Sequence, residues 1–455
     1  MKNSHKLQPN KINVLLDLYA GSSAKGQSCA HLVKTNFDIT ILLCNHAPSA
    51  SHTYITKDNE EFVFKVLPTA TGLLKDEYRE DLKVYLAPSS IFEIDQLIKE
   101  LEWVGLIKSN IIIPYTATIL KNGDGEKEAE AMGSNHLGST HSGQSIAYAR
   151  KISRTKELSI AYDYIEELSE VATVVPFSTY QEMLVEDLKS NTALAELPQG
   201  FSLSIDYQDE PRKSTFRNIT PLQFMSDIGL SQDYLGDVIA NIRAYPIRVS
   251  NRFKDDKITH IIALEKDHTK TKIEVKPEDY HKVNSIAHKV MELKKPSTIE
   301  LNGELVRVCD IPEYIGTSGA FPKGMVEVNW DFLGLPVEQT TLTKLPRRIA
   351  VPANDCSRIS HSLFKQFIIT TRPTKAIITF VNYILHHEHN LDLNETNEKT
   401  GELLEEISDD FWYELNYIQR TLLDDKIIPS NNRSAINILA LQYGKTLDDF
   451  YTPNF

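Results

Sequence analysis

Ile12-Asn13-Val14-Leu15-Leu16-Asp17-Leu18, followed at once by Tyr19-Ala20-Gly21-Ser22-Ser23-Ala24-Lys25-Gly26, is the stretch on which the reading of this 455-residue chain turns. The first part is a short, mostly apolar run and reads as a buried strand. It runs into a Gly/Ser turn, and a helix is expected to follow. Gly21-Ser22-Ser23-Ala24-Lys25-Gly26 offers what a phosphate needs: inward-facing backbone N–H groups, small residues that permit close approach, and the Lys25 cation. The spacing is not that of a Walker A loop. Taken alone, the segment also fits an ordinary strand-to-helix turn with a surface lysine.

Further strands are read at residues 39–44, 62–67 and 111–115. A helix over residues 90–103 has Ser90 and Glu93 as a capping box and Gly105 as its stop. Residues 122–135 are polar, acidic and Gly-containing and read as a mobile insertion. A long helix is expected over residues 144–168, and Thr220, Pro221 and Gln223 mark another helix start. Helical stretches near residues 375–387 and 402–423 close the chain. Strands alternating with helices give an α/β fold, a largely parallel central sheet with flanking helices and a helical C-terminal segment. The expected division is an α/β domain over residues 1–382 and a divergent helical segment over residues 383–455.

The net charge of -13 argues against broad nucleic-acid binding, which needs a basic surface. No apolar run approaches the roughly 18 residues of a membrane span, and residues 12–20 are too short and badly flanked for a signal peptide. Cys29, Cys44, Cys309 and Cys356 lie far apart without a CxxC pair, so a reducing cytoplasm, a host's if the chain is viral, is the simplest setting.

Downstream come Ser49-Ala50-Ser51-His52-Thr53; Gly138-Ser139-Thr140-His141-Ser142-Gly143, opening a helix with Arg150, Lys151 and Arg154; and Gln199-Gly200, ahead of a strand-like run ending at Asp206. Then follow Thr215-Phe216-Arg217-Asn218-Ile219-Thr220-Pro221, Tyr245-Pro246-Ile247-Arg248-Val249, Gly319-Ala320-Phe321-Pro322, and the segment from Glu338 to Arg348. In this order, over residues 12–382, the segments resemble the adenylosuccinate synthetase family. The likeness is strongest to the archaeal and viral branch that includes enzymes acting on dGMP.

The resemblance implies a C–N ligase that activates a 6-oxo purine nucleotide with a triphosphate and joins it to L-aspartate, with Mg2+, in a homodimer. The family's loop reads Gly-Asp-Glu-Gly-Lys-Gly, and its aspartate takes the purine N1 proton. Here that position is Ser22, whose hydroxyl has no comparable basicity. Loss of the carboxylate also makes room, which favours dGMP over IMP. Catalytic roles are implied for Lys25, His52 and Ser22. Triphosphate contacts are implied for Gly21, Ser22, Ser23, Ala24, Lys25, Gly26, Ser51, His52, Thr53, Arg347 and Asn382, and metal contacts for Ser22 and Ser51. The substrate nucleotide would meet Ser22, Ser49, Ser139, Thr140, Gln199 and Thr215, with Arg154 reaching over from the other subunit. Thr341, Thr343, Arg347 and Arg348 lie in the family's aspartate loop, where guanidinium forks suit a carboxylate. One arginine of that loop is Leu345 here, which leaves another amine donor open. Asn382 stands where guanine-specific members carry an aspartate; its amide suits adenine, so ATP or dATP is expected over GTP. An IMP-specific enzyme and a non-catalytic nucleotide-binding paralogue are the alternatives. His386, His387 and His389 read as a surface cluster, since only His386 and His389 share a helix face.

Overall fold

The computed structural model describes residues 6–132, 141–207, 211–340, 344–354, 357–391, 398–424 and 435–453. Its centre is a ten-stranded sheet. The strands are β1 (Ile12–Asp17), β2 (Ile39–Cys44), β3 (Lys83–Leu86), β4 (Ile111–Pro114), β5 (Thr173–Val175), β6 (Thr192–Gly200), β7 (Leu235–Arg243), β8 (Lys375–Thr379), β9 (Asn437–Gln442) and β10 (Phe450–Tyr451). Their order is β10-β9-β8-β7-β1-β6-β2-β3-β4-β5. Every pairing is parallel except β9 with β10. The apolar run at the start of the chain is therefore the sheet's innermost region, and all six residues of β1 are buried.

Both faces of the sheet are covered, which is why its strands read as unbroken apolar runs. Ile12, Val14 and Leu16 face one core with Ala193, Ala195, Val238 and Ala240, while Leu15, Leu194 and Ile239 face the other. A four-stranded antiparallel sheet over residues 260–310 has a small core of its own around Ile261, Val283, Ile299 and Val308. A three-stranded sheet joins Ile247–Arg248, Arg348–Pro352 and Met325–Val328.

Several expectations are corrected. Residues 61–64 pair with His52–Ile55 in a separate antiparallel hairpin and do not enter the central sheet. Ser90 caps no helix; its hydroxyl bonds the Cys44 carbonyl, and the helix spans Ile94–Val104, stopped by Gly105 in the left-handed region. Within the insertion, Asp124–Met132 forms helix α2, the helix after β1 being α1 (Lys25–Thr35). Asp124 grips the buried Arg150 guanidinium with bonds of 2.5 and 2.6 Å, and Glu128 accepts from the Gly143 and Ser145 N–H groups. The stretch read as a mobile insertion thus holds one carboxylate on a buried cation and another on backbone N–H groups. The long helix stops as α3 (Gln144–Ser153) at Arg154, whose φ is 51°, and resumes as a 3-10 turn at Ala161 that passes into α-helix at Ile165. Residues 375–379 are β8, not helix, because Lys375 caps a run whose Ala-Ile-Ile core is apolar on both faces. The segment after residue 382 is not purely helical: β9 pairs with β8 and extends the same sheet.

Candidate active site

In an open parallel sheet, ligands gather beyond the carboxyl ends of the strands. At this end β1 is flanked by β6 and β7, and Asp17 is in register with Gly200 and Asn241. Asp17 is buried and organises the loop that follows it. Lys25 Nζ donates to its Oδ2 at 3.0 Å, while the Ser23 hydroxyl and Asn241 Nδ2, the latter at 2.8 Å, donate to Oδ1. Lys25 also donates to the Gln199 carbonyl at 2.7 Å. A buried ion pair is sustained only when further hydrogen bonds support it; both Asp17 oxygens are taken, and Lys25 has two of its three hydrogens placed. Gly21 at φ 96° and Ala24 at φ 54° let the loop turn so that α1 begins at Lys25. Gly200 permits the close crossing of the strand ends, since a Cβ there would meet the Tyr19 carbonyl at 1.8 Å.

His52 opens the hairpin beside α1. Its Nδ1 lies 3.2 Å from Glu196 Oε1, on β6. Glu196 also accepts from Thr69 N–H at 2.7 Å and the Thr69 hydroxyl at 3.0 Å. A Cβ on Gly26 would sit 2.8 Å from the Thr69 side chain, so the loop's last glycine lets α1 press on the turn that holds Glu196. The His46 ring stacks on His52, with centroids 4.7 Å apart and planes 20° from parallel. His52 Nε2 and both nitrogens of His46 are buried without a partner. Burial, then the Lys25 charge, holds His52 well below the ordinary imidazole range, and burial with Lys25 and Arg217 takes His46 down to about 3. Both rings are neutral. Burial pushes the Glu196 carboxyl up, opposed by Lys25 and the Thr69 bonds.

The expected substrate residues converge in part. The Ser49 hydroxyl accepts from Gln199 Nε2 at 2.9 Å and donates to Gln144 Oε1 at 2.6 Å. The Thr215 hydroxyl is buried and unpartnered. Beside it, a cavity of about 150 Å³ is lined by Ser89, Tyr148, Phe216, Arg217, Asn218 and Asp227, among others. Arg154 is exposed, Ser51 is exposed and Thr53 half-buried. Ser139, Thr140, Thr341 and Thr343 lie outside the described residues. Gln199 and Gly200 end a strand rather than precede one; short 3-10 turns follow them.

Arg347 and Arg348 part company. Arg347 donates to the Ser22 hydroxyl at 2.6 Å and to the Gln339 carbonyl at 3.1 Å, tying the expected aspartate loop to the phosphate loop. Arg348 is buried, bidentate to Glu327 at 2.8 and 2.6 Å, and its remaining nitrogen donates to Thr317 Oγ1 and the Gly319 carbonyl at 2.7 Å each. The Arg348 donors are thus committed to Glu327, Thr317 and Gly319 in this structure. Asn382 is half-buried, two residues beyond Phe380. The Phe380 ring lies 3.5 Å from the Arg243 guanidinium, which donates to the Ser22 carbonyl at 2.7 Å and pairs with Glu338.

Nor does the loop make a resident metal centre. The Ser22 hydroxyl is taken by Arg347 and the Asp17 oxygens by Ser23, Lys25 and Asn241. That leaves no open carboxylate of the kind Mg2+ favours in such loops. The expected metal roles of Ser22 and Ser51 therefore have no anionic support.

Sequence reading missed Asp17, Glu196, His46, Asn241 and Arg243. Asp17 carries a legible signal: a carboxylate at the end of a fully apolar strand is costly unless a cation meets it. Asn241 and Arg243 could be found only by knowing which strands flank β1.

No family model matches the chain. The N6-succino-2-amino-2'-deoxyadenylate synthase of Vibrio phage phiVC8 is 32% identical over 243 residues, 52% of this chain and 68% of that protein. The enzyme of the same name from Acinetobacter phage SH-Ab 15497 is 25% identical over 402 residues, 82% of this chain and 84% of its own. The solved succinoaminodeoxyadenylate synthetase of Cyanophage S-2L, bound to dGMP and to dATP as an energy donor, shares the fold. Its TM-score is 0.66 at 22% identity, over 98% of this chain and 97% of that one.

Proposed function

The chain belongs to the N6-succino-2-amino-2'-deoxyadenylate synthases, relatives of the adenylosuccinate synthetases, and on that premise we propose that it joins L-aspartate to C6 of dGMP at the expense of ATP or dATP. The observation that carries the reading is a phosphate loop without a carboxylate, in which Ser22 replaces the acid while Lys25 and the His52–Glu196 contact remain in place. A serine at that position leaves room for the 2-amino group of guanine and removes charge from its surroundings.

The γ-phosphoryl group passes to the purine O6, and the aspartate amine then displaces it at C6. Activation turns a poor leaving group into a good one, and the protein contributes position and charge. An ammonium has three hydrogens to donate. Lys25 spends two on Asp17 and the Gln199 carbonyl, so the third is available to a phosphate oxygen. The first turn of α1 adds N–H donors. Thr215, with its unpartnered buried hydroxyl, is assigned to the substrate 5′-phosphate together with Ser139, Thr140 and the partner's copy of Arg154 in a homodimer. Ser49 and Gln199, already bonded to each other, are assigned to the purine edge. Thr341, Thr343 and Arg347 remain for aspartate, and Asn382 for the adenine of the donor. Mg2+ enters with the triphosphate as part of that substrate, where it neutralises phosphate charge.

Purified protein supplied with dGMP, L-aspartate and ATP or dATP releases phosphate and yields a product heavier than dGMP by one aspartate less one water. Turnover of IMP with GTP in preference would overturn the dGMP assignment, and binding without turnover under every combination would overturn the ligase.

A further inference from the structure

With Ser22 in place of the loop carboxylate, the reaction lacks its usual acceptor for the purine N1 proton. Among the described residues, three buried groups near Lys25 form a tight cluster: His46, His52 and Glu196, with ligand atoms within 4.8 Å of one another. Their spacing is short enough for three ligands of one metal ion. The stacking argues against it, because imidazoles lying face to face send their lone pairs side by side and do not converge on one ion.

What the arrangement does instead is fix one imidazole. Glu196 is held from behind by the Thr69 N–H and hydroxyl, so its position does not depend on His52. Its Oε1 faces Nδ1 of His52. An ionised Glu196 at 3.2 Å favours the ring hydrogen on Nδ1, which leaves Nε2 as a bare lone pair. His46 covers the face of the ring and stops it from turning. The one atom of His52 without a protein partner is Nε2, and it is buried. This is the logic by which a buried carboxylate sets the tautomer of a catalytic histidine elsewhere.

Resting on the function proposed above, we infer that His52 Nε2 accepts the purine N1 proton in place of the absent loop carboxylate, and that Glu196 and His46 are the positioning residues that present it. As O6 attacks the γ-phosphorus, the bond to the nucleoside diphosphate breaks and its electron pair leaves with the diphosphate. The N1–H electron pair becomes the second bond between N1 and C6, and the C6–O6 π pair forms the new O6–P bond. The proton moves to Nε2, and the imidazolium donates to the transferred phosphoryl oxygens. When the aspartate amine displaces phosphate, that proton leaves with it and the amine's surplus proton goes to solvent. A weak base suffices, because phosphorylation of O6 makes N1–H far more acidic as the transfer proceeds.

The test has two arms. In histidine-labelled, ligand-free protein, nitrogen-15 correlation spectra report the tautomer of His52, assigned with a His52→Gln control. The expected result is a protonated Nδ1 and a bare Nε2; a hydrogen on Nε2 overturns the inference whatever the activity. In steady-state assays with dGMP, Glu196→Gln keeps its amide oxygen on the Thr69 N–H and so turns its NH2 toward His52 Nδ1, which favours the opposite tautomer. It should lower kcat by about 10²–10⁴-fold with KM for dGMP unchanged. His46→Phe keeps the stacked face and most of kcat, while His46→Ala does not. Wild-type kcat in Glu196→Gln, or a change in KM alone, overturns the inference. A wild-type protein inactive on dGMP with ATP, dATP and GTP overturns the function itself, and the spectra still decide the tautomer. Should Glu196→Gln fail to fold, the wild-type spectra stand as the deciding measurement.

Discussion

Two buried polar clusters differ in how completely they are satisfied. At Arg348 the guanidinium finds Glu327, Thr317 and the Gly319 carbonyl within hydrogen-bond distance, so nothing is left for a ligand. Beyond the carboxyl end of β2, His52 Nε2, both His46 nitrogens and the Asn45 side-chain oxygen are buried with no partner. A buried polar atom without a partner costs roughly 1–3 kcal/mol. A bound molecule would complete the cluster beside Lys25, whereas isolated vacancies such as the Tyr180 and Ser408 hydroxyls carry no such grouping.

The comparison is broken most severely at the saturated end. Arg348→Ala strands Glu327 and should cost about 3–5 kcal/mol of stability, read from the urea midpoint. Activity per folded molecule should survive; its loss without loss of stability would return Arg348 to the aspartate site. At the vacant end, Lys25→Met should reduce phosphate release by about 10²–10³-fold, as removal of a preorganised donor does.

The next effect concerns pH. His46 is held at about 3 when folded, against 6.5 when free, so the unfolded chain takes up the proton first. Stability is full above pH 6.5 and falls as pH drops toward 3, by roughly 1.4 kcal/mol per pH unit for this one group. His31, lowered by burial to about 4, adds to the slope over its own range. Removing the His46 share with His46→Phe should flatten the acid limb of a stability–pH curve, and an unchanged limb would mean that His46 is solvated. Smallest is Arg347→Lys, which exchanges a fork for a point charge. KM for aspartate should rise by about tenfold, or roughly 1.4 kcal/mol, with stability unmoved.

The phosphate loop was legible because its requirements are local: an apolar strand, small residues, a lysine. So were β1, β2, the Gly105 stop and the Thr220 cap, whose side chain accepts from Gln223 N–H. Signals confined to one stretch misled where a distant partner decided. Residues 122–135 read as a mobile insertion, yet Asp124 and Glu128 meet Arg150 and Gly143. Residues 375–379 read as helix until β7 and β9 claimed them as an interior strand. Glu196 and His46 are chemically informative only through His52, 144 and 6 positions away along the chain respectively. Family likeness could place His52 but not the carboxylate beside its ring.

The position of β1 has a consequence for how the molecule comes into being. Its neighbours are β6 and β7, so Ile12 waits for Ala193 and Leu235 before either edge is hydrogen-bonded. During synthesis the chain's most apolar early segment leaves the ribosome long before its mates exist. Such late-closing parallel pairs fold slowly and expose sticky edges meanwhile. Soluble yield should therefore respond to slower translation and to chaperone supply, and the triphosphate cradle can take shape only after more than half of the polypeptide has been made.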